Sequence, residues 1–596
     1  MTAAGWAEIL ATIALAVALA WPAGAYLSRI WSGQRTWLDP VLAPVEALFH
    51  RLAGVDPRKP QNWSEYALSL LAFNAAGFAA LYLLLRLQGL LPLNPQGLHG
   101  LSPDAAFDTA LSFVTNTDWQ SGRAAASISQ LSALAGLVTQ NFVSAASGIA
   151  VAAALTRAFS ANRSHALGNF WVDLVRAALY FLLPIAVGMS LVLVALGSPQ
   201  TLADNIQAHG LEGGVQVIAI GPVASQQAIN QIGTNGASVF WANAAHPFAN
   251  PTPLSNLIEA AVMDATGLAC VVAFGRTLRA RADARALVAA MTLMVAAASA
   301  IIYWGETRPP PALAAAHADA DANMEGKEVR FGAPGSAVFT AMTTGSSAGS
   351  VNAMVESLAP VSSGVALFLM ELGEMLPGGA GTGLLSIVMM SLLAMLVAGL
   401  MVGRTPEYLG KKIERREIKL VLLGTLLMSL SILGFSALAA VTPAALAGLS
   451  ATGPHGLMEM LYAYASTTAN NGSAFQGLRA DNAYWNITLG VAMAIGRYGF
   501  LMPVLALAGG LAAKPRLLPS EGTLPTDGPL FVGLLLSVIL ILAGLQYFPS
   551  LALGPMAEQL ELTHAGRADA RRRAIPPAWS SIGPSSRTDR SRTHSP

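Results

Sequence analysis

STTANNGSAF, residues 466–475, holds hydroxyl, amide and glycine residues between two long apolar runs, with no charge, histidine or cysteine. Three similar polar segments also lie between apolar runs: FVTNTDWQ (113–120), IGTNGAS (232–238) and TTGSSAGSVN (343–352). Measured from Asn116, Asn235, Gly349 and Gly472, the four segments are 119, 114 and 123 residues apart. One such segment alone is typical of a turn, but four at nearly even spacing indicate an internal repeat.

The composition of the chain is that of a membrane protein. Hydrophobic residues make up 54% of the 596 residues and charged residues only 11%, compared with about 25% charged residues in soluble domains. The net charge of +1 gives no indication of nucleic acid as a partner. The single cysteine, Cys270, excludes a disulfide within the chain. We therefore expect an all-α polytopic membrane protein whose surroundings are the lipid bilayer.

Ten apolar segments have the length of about 20 residues that one membrane crossing requires. Met1 is followed by no basic residue and Glu8 interrupts the first segment, so we expect an uncleaved first helix within residues 1–30 rather than a signal peptide. The segments are residues 7–28, 64–90, 128–157, 170–197, 254–277, 285–305, 364–402, 418–441, 484–510 and 528–549.

Basic residues are unevenly distributed over the loops between these segments. With the loop after the first segment placed inside, the five inner loops hold 19 Lys and Arg residues, and the outer loops hold five. Cytoplasmic loops carry the excess of basic residues in membrane proteins. The bias therefore predicts that both termini lie outside the cytoplasm.

Each polar segment follows a short run that is compatible with a helix, at residues 104–112, 222–231, 335–342 and 455–465. The pattern predicts four pseudo-repeats of helix, pore loop and helix around one selectivity filter, with two extra helices outside them. The repeats are 64–157, 170–277, 285–402 and 418–510, and the extra helices are 1–30 and 528–549. The Arg-, Ser- and Pro-rich tail at 561–596 is predicted to be disordered.

Ion dehydration explains why a membrane protein would need such loops. Non-helical backbone is tolerated at membrane depth only where it is buried in protein or lines a cavity. Four loops on one axis can offer rings of carbonyl oxygens that replace the water shell of a cation, and glycine permits the positive φ angles that turn carbonyls inward. Carboxylates would bind a monovalent ion too tightly to release it, and three of the four segments contain none. The segments therefore predict a filter for a monovalent cation.

Seven motifs stand in collinear order along almost the whole chain: SFVTNTDWQ, QNFVSAASGIAVA, GPVASQQAINQIGTNG, AHPFANPTPLSN, GKEVRFG, VGRTPEYLGKKIE and ANNGSAF. They closely resemble the potassium-channel-like subunit of the Kdp potassium-transporting ATPase, a member of the superfamily of potassium transporters. The resemblance implies a bacterial plasma membrane protein that binds and translocates K⁺ for a high-affinity uptake pump. It also implies three partners, a P-type ATPase subunit that hydrolyses ATP and two small subunits, with the ion moving sideways through an intersubunit tunnel. K⁺ is then the transported ion, and no organic cofactor is expected.

The resemblance assigns the filter to residues in all four polar segments. They are Thr115, Asn116 and Thr117; Thr234, Asn235 and Gly236; Ser347, Gly349 and Asn352; and Asn470, Asn471, Gly472 and Ser473. Four positions depart from the family's pattern: Asp118 replaces an expected Asn, Ala237 and Ser238 replace expected glycines, and Ala348 stands where a Cys is common. Asp118 either increases the attraction for a cation or is neutralised by Arg123. The departures leave K⁺ as the expected ion and its affinity open.

Two further features suggest control of ion flow. The predicted seventh span is interrupted by LPGGAGTG (376–383), which contains Gly378, Gly379 and Gly381 and is flanked by Glu371 and Glu374. This break is either a packing kink or a flexible barrier beneath the filter. Arg497 lies inside the ninth span, where it either limits flow below the filter or forms a structural salt bridge.

The chain contains neither a GxxxxGK[ST] phosphate loop nor an Asp-Lys-Thr-Gly phosphorylation motif, so it is not expected to be an enzyme by itself. Two functions remain open from the repeat alone: the potassium-binding subunit of an ATP-driven pump, or a stand-alone potassium channel or ion-coupled transporter of the same superfamily. The motifs VGRTPEYLGKKIE and AHPFANPTPLSN favour the pump.

Overall fold

The fold is a bundle of membrane-spanning helices. The computed structural model describes residues 1–94, 96–121, 127–203, 206–209, 213–218, 220–237, 240, 242–309, 322–373, 375–518 and 523–564. The α-helices in this part of the chain are α1 (Ala3–Trp31), α2 (Asp39–Leu52), α3 (Trp63–Leu87), α4 (Pro103–Val114), α5 (Thr139–Ser160), α6 (Phe170–Arg176), α7 (Leu183–Ala195), α8 (Val223–Gly233), α9 (Pro253–Thr277), α10 (Arg281–Glu306), α11 (Gly332–Gly345), α12 (Pro360–Glu371), α13 (Thr382–Val402), α14 (Arg415–Val441), α15 (Pro443–Leu446), α16 (Gly453–Thr468), α17 (Ala483–Ala513) and α18 (Pro529–Leu551).

Sheet structure is limited to two short ladders among the described residues. The antiparallel pair β1 (Ile206–His209) and β2 (Val215–Ile218) precedes α8. The pair β3 (Glu407–Tyr408) and β4 (Lys411–Lys412) lies in the loop between α13 and α14. These ladders are small beside the helices, so the predicted all-α class is confirmed.

Ten helical segments of the described chain are long and apolar enough to cross a membrane, as predicted. Three include a π-helical turn: Ser132–Val138 before α5, Ala177–Leu182 between α6 and α7, and Ala552–Met556 after α18. The last segment runs from Pro529 to His564, well beyond its predicted end at residue 549. The structure is therefore that of a multi-pass membrane protein.

Side-chain caps begin several of the spans. Asn62 and Glu65 form a reciprocal capping box at the start of α3, and Thr252 and Ser255 do so at α9. These side chains accept hydrogen bonds from backbone N–H groups that have no partner within the first helical turn. Gly403, in the left-handed conformation, ends α13. Polar residues at the ends of apolar runs thus set where the spans begin and end.

In each predicted repeat, the span after the polar segment is more deeply buried than the span before it. In Ser132–Ser160, 83% of the apolar window is buried inside the protein, against 22% in Trp63–Leu90. The other three pairs follow the same order. Small residues make this possible, as in the run SAASGIAVAAAL within α5, because they let helix backbones approach closely without a gap. The second spans therefore form the inner part of the bundle.

The predicted seventh span, 364–402, is not one helix. It consists of α12, which ends at Glu371, and α13, which begins at Thr382. The interruption lies at residues 372–381, slightly earlier than the predicted 376–383. Pro377 and the glycines Gly373, Gly378 and Gly381, whose φ angles are positive, explain why the helix cannot continue through this stretch.

Some sequence-based expectations fall on positions outside the described residues. They are Arg123 as a neutralising partner of Asp118, the replacement at Ser238, the flanking Glu374, and the tail beyond His564. The described residues Glu561–His564, which belong to the predicted disordered tail, are helical.

Candidate functional site

The four polar segments begin with the same backbone geometry, directly after the short helices α4, α8, α11 and α16. One residue in each adopts the left-handed conformation, which is rare for residues other than glycine. These residues are Asn116, Thr234, Ser347 and Asn470, with φ angles of 65°, 53°, 52° and 56°. In each segment the next residue donates its N–H to a carbonyl five positions earlier: Thr117 to Ser112, Asn235 to Asn230, Ala348 to Thr343 and Asn471 to Ser466.

This shared geometry corrects the register that the sequence suggested. Asn116 is equivalent to Thr234 rather than to Asn235. Each of these two residues is left-handed and is followed by the residue whose N–H closes the C-terminal end of the short helix. Two residues after the first left-handed position, the segments hold Asp118, Gly236, Gly349 and Gly472. Three of these four are again left-handed, with φ of 57° at Asp118, 70° at Gly349 and 96° at Gly472. The first segment thus carries an aspartate where the other three carry glycine.

The first and second segments are joined by side-chain amides. Asn116 Nδ2 donates to the carbonyl oxygen of Thr234 at 3.0 Å, and Asn235 Nδ2 donates to Asn116 Oδ1 at 3.0 Å. The second and third segments touch through glycines, since a Cβ atom on Gly236 would lie 3.0 Å from the Gly349 Cα. The first two junctions are therefore made by direct contacts between the segments.

The fourth segment contacts both the third and the first. A Cβ atom on Gly349 would overlap the carbonyl oxygen of Asn471, and one on Gly472 would overlap that of Thr117. Asn470 Nδ2 also donates to Thr117 Oγ1 at 2.8 Å. Each segment therefore contacts the next in chain order, and the last contacts the first. We call residues 115–118, 234–236, 347–349 and 470–473 the polar ring.

The polar ring is buried and mostly neutral. Its members are buried, apart from Gly472, which is half-buried. Several buried oxygen atoms have no hydrogen-bond partner among the described residues, and such orphans are rare in proteins. They are Asn235 Oδ1, Ser347 Oγ, Asp118 Oδ2 and, at the end of α11, Thr343 Oγ1. The C-terminal ends of four short helices add partial negative charge. The arrangement offers neutral oxygen ligands and a negative potential, which suits a dehydrated monovalent cation.

Not every predicted filter residue lies at a junction between segments. Thr115 Oγ1 pairs with Thr117 Oγ1 at 2.8 Å within the first segment. Ser473 Oγ pairs with Tyr462 of α16 at 2.8 Å. Asn352 lies farther along the chain, where its Nδ2 donates to Asn256 Oδ1 at 2.8 Å and to the carbonyl oxygen of Gly335, near the start of α11. Asn352 therefore lies outside the contacts that join the four segments.

Sequence reasoning missed a second layer of polar residues behind the ring. Ser144 Oγ of α5 donates to Asn116 Oδ1 at 2.7 Å. On the other side, Gln231 Nε2 donates to Glu259 Oε2 and to Ser350 Oγ, each at 3.0 Å. Glu259 is fully buried within the spanning helix α9. A carboxylate inside a span is costly and marks a functional position, so its place in the sequence could have drawn attention to it.

The break at residues 372–381 lies directly against the ring. Gly378 donates its N–H to the carbonyl oxygen of Gly345 at 3.0 Å, at the end of α11. Ala380 donates its N–H to Thr234 Oγ1 at 2.9 Å. A Cβ atom on Gly381 would overlap the backbone of Gly148 in α5. Gly379, also buried, accepts the N–H of Gly383 as α13 begins. The break therefore joins the second and third segments to the inner helices.

Arg497 of α17 lies next to the same region and is only 4% exposed. Its Nη2 donates to the carbonyl oxygen of Ser144 at 3.0 Å and to Ser147 Oγ at 3.4 Å, both in α5. A cavity of about 50 Å³ is lined by Arg497, Asn470 of the ring, Glu371 and several methionines. This volume is enough for a few water molecules. Glu371 Oε1 accepts from Ser550 Oγ, while Oε2 is buried without a partner among the described residues.

A charged cluster lies at the N-terminal end of α16, the end of that helix farthest from the ring. His455 Nδ1 is 2.8 Å from Glu558 Oε1, and its Nε2 is 3.7 Å from Glu356 Oε1. The two carboxylates raise the pKa of His455 to about 10. The contact with His455 lowers the pKa of Glu356. The cluster ties α16 to the last helix and to the loop after the third polar segment.

Comparisons with known proteins identify the family of the chain. The family model described as potassium-transporting ATPase A subunit matches residues 10–560. The chain is 60% identical over 561 residues to a potassium-transporting ATPase potassium-binding subunit of Beijerinckia indica, covering 94% of this chain and 99% of that protein. It is 58% identical over 565 residues to the protein of the same name from Caulobacter vibrioides, covering 95% and 99%.

A solved structure shows the fold independently of close sequence similarity. The potassium transporter TrkH from Vibrio parahaemolyticus superposes with a TM-score of 0.50 at 13% identity, covering 84% of this chain and 96% of that one. The family model and the near full-length relatives decide the assignment. The chain belongs to the potassium-transporting ATPase A subunit family.

Proposed function

We propose that the chain is the potassium-binding and translocating subunit of an ATP-driven potassium uptake pump. The closed ring of four polar segments carries this proposal, because its buried neutral oxygens suit a dehydrated monovalent cation. Relatives named as potassium-binding subunits make K⁺ the cation to test first. In this proposal the segments 64–157, 170–277, 285–402 and 418–510 act as four repeats around one filter.

ATP hydrolysis in this proposal takes place on a separate P-type ATPase subunit, with two small subunits completing the pump. The motifs VGRTPEYLGKKIE and AHPFANPTPLSN support a pump with separate subunits for ion binding and ATP hydrolysis. The sequence also lacks the GxxxxGK[ST] phosphate loop. The protein would lie in the bacterial inner membrane with both termini outside the cytoplasm, in agreement with the distribution of basic residues.

Arg497 and the break at 372–381 act below the filter in this proposal. The guanidinium group is buried next to the cavity beneath the ring, where its positive charge disfavours a cation moving straight through. The break contacts two of the four segments, so its movement would alter them directly. Together they hold the ion in the cavity until it leaves sideways toward the ATPase subunit.

The test is to purify the complex through a tag on this chain and to measure ATP hydrolysis against the concentrations of K⁺, Rb⁺ and Na⁺. We expect hydrolysis that K⁺ stimulates more strongly than Na⁺, and that vanadate, a mimic of the transferred phosphate, inhibits. A chain that purifies without an ATPase partner and conducts K⁺ without ATP would instead support the stand-alone channel or ion-coupled transporter.

A further inference from the structure

Asp118 differs from the rest of the polar ring in its charge. It occupies the position that Gly236, Gly349 and Gly472 hold in the other three segments, and it adopts the left-handed conformation of two of them. Aspartate and asparagine tolerate this conformation better than other side chains. The backbone of the first segment is therefore like that of its neighbours, but it bears a carboxylate that is only 1% exposed.

Polar groups on two different elements face the carboxylate of Asp118. The Asn235 side chain and the Gly236 N–H of the second segment lie near it and favour its ionised form. The Asn141 amide of α5 lies 2.7 Å from Asp118 Oδ1, where its nitrogen can donate to an ionised carboxylate or its oxygen can accept from a protonated one. Asp118 Oδ2 is buried without a partner among the described residues.

Two opposing effects act on the charge of Asp118. Burial is the larger effect and raises the pKa of Asp118 well above its ordinary value, whereas N–H donors and nearby positive charge favour the ionised form. Arg497 is close enough to interact electrostatically with Asp118. A K⁺ ion in the ring would add a second positive charge nearby, because the backbone of Asp118 lies against Gly472. Occupation of the ring by a cation and ionisation of Asp118 therefore stabilise each other.

We propose that Asp118 is a specificity-determining residue whose carboxylate, ionised when a cation occupies the ring, adds a negative charge to one side of the cation site. This inference rests on the proposed function of the ring as a potassium filter. The charge increases the affinity for K⁺ beyond what neutral carbonyl and hydroxyl oxygens supply. It increases the affinity for a divalent cation of similar size still more, because the Coulomb energy is proportional to the charge of the ion. Ba²⁺, whose radius is close to that of K⁺, is the probe for this difference.

Asp118→Asn is the sharpest variant. Asparagine has the same shape and tolerates the left-handed conformation. Its carbonyl oxygen can keep the donors at Oδ1, and its NH₂ group can occupy the position of the unpartnered Oδ2. The control is Asp104→Asn, which removes a carboxylate at the N-terminal end of α4, the short helix that precedes Asp118. Asp118→Gly is a second variant, since the equivalent positions of the other segments already carry glycine.

The measurement is ATP hydrolysis by the intact complex, stimulated by K⁺ and inhibited by Ba²⁺. For Asp118→Asn we expect the K⁺ concentration at half-stimulation to rise about tenfold, an effect of the size expected for one nearby charge. The Ba²⁺ concentration at half-inhibition should rise by about the square of that factor, since the ion carries twice the charge. Asp104→Asn should change neither value, and Asp118→Gly should reproduce the Ba²⁺ effect.

The outcomes separate this inference from the filter proposal. Equal losses for K⁺ and Ba²⁺, or a wild-type complex that Ba²⁺ inhibits no more than Asp118→Asn, would overturn the role of the charge. If Asp118→Asn changes nothing while Gly349→Ala weakens K⁺ stimulation, the filter stands and the inference about Asp118 is wrong. If neither variant changes the response to K⁺, the filter proposal itself is wrong.

Discussion

The polar ring and the cavity next to it are both interruptions of a helical membrane bundle, yet they are built differently. The ring is held from segment to segment by backbone contacts and amide side chains, and Asp118 is its one acidic or basic residue. The cavity is lined by Arg497, Glu371 and flexible methionines, and it has room for water. A close-packed site of oxygen ligands can replace the hydration shell of an ion, whereas a roomier site beside a buried guanidinium group can direct where the ion goes next.

Glycine substitutions in the ring should have the largest effect. Gly472→Ser and Gly349→Ala each place a Cβ atom onto a neighbouring carbonyl oxygen, at positions where φ is positive. The carbonyl must move, so one ligand of the ring is lost. We expect K⁺-stimulated ATP hydrolysis to require at least about a hundredfold more K⁺, equivalent to about 2.7 kcal/mol of binding free energy. Rb⁺ or Na⁺ should compete better than in the wild type.

The matched control for these substitutions is Gly544→Ala in α18. A Cβ atom there meets nothing within 4 Å, so K⁺ stimulation should be unchanged. Unchanged K⁺ affinity and an unchanged order of ions in both ring variants would show that the segments are ordinary loops.

Replacing Arg497 should have the next largest effect, and it tests whether the cavity is a barrier to straight passage. Arg497→Gln removes a buried positive charge at the wall of the cavity but keeps a donor for the carbonyl oxygen of Ser144. A cation in the cavity should then meet less repulsion. We expect K⁺ flux without ATP, measured in proteoliposomes, to rise about tenfold, with less transport per ATP hydrolysed. Arg497→Lys, which retains the charge, should leak less than Arg497→Gln, and equal leakage would argue for a structural salt bridge.

The break at 372–381 should give a smaller effect, on turnover rather than on affinity. Gly381→Ala places a Cβ atom against the backbone of Gly148 and strains a residue with a φ of 87°. This should fix or displace the break. We expect the maximal rate of ATP hydrolysis to fall several-fold, while the K⁺ concentration at half-stimulation changes little. Gly403→Ala is the control, because φ there is 73° but a Cβ atom meets nothing within 4 Å. Equal effects of the two variants would attribute the result to backbone strain alone.

The smallest effect should come from His455, which lies away from both regions. Carboxylates raise its pKa to about 10, above the ordinary value of 6.5, so the folded protein keeps the proton that the unfolded chain loses. The contribution of the protonated form to stability is complete below pH 6.5 and is lost as the pH rises toward 10. Thermal stability of the wild type should therefore fall more between pH 7 and pH 10 than that of His455→Gln, by about 1 kcal/mol. Parallel pH profiles would contradict this role, and K⁺ affinity should be the same in both.

Local sequence predicted the number of spans, the bounds of most of them and the four short helices, because each depends on the hydropathy of one contiguous run. The short helix before the opening segment was predicted at 455–465 and is found at Gly453–Thr468. The polar segments themselves were recognised by composition and spacing. The seventh span shows the limit of this reasoning, since its break was predicted from Pro and Gly, but its contacts with Gly345 and Thr234 could not be.

The sequence by itself determined the membrane class, the number of spans, the four polar segments and, through long collinear motifs, the family. These properties depend on residues that are neighbours in the chain. The tertiary structure decided that the segments meet in a closed ring, that Asp118 rather than Asn116 is the counterpart of Gly349 and Gly472, and that Ser144 and Glu259 support the ring from behind. Such contacts join residues that are often more than one hundred positions apart, and they depend on helix packing that no single stretch of sequence specifies.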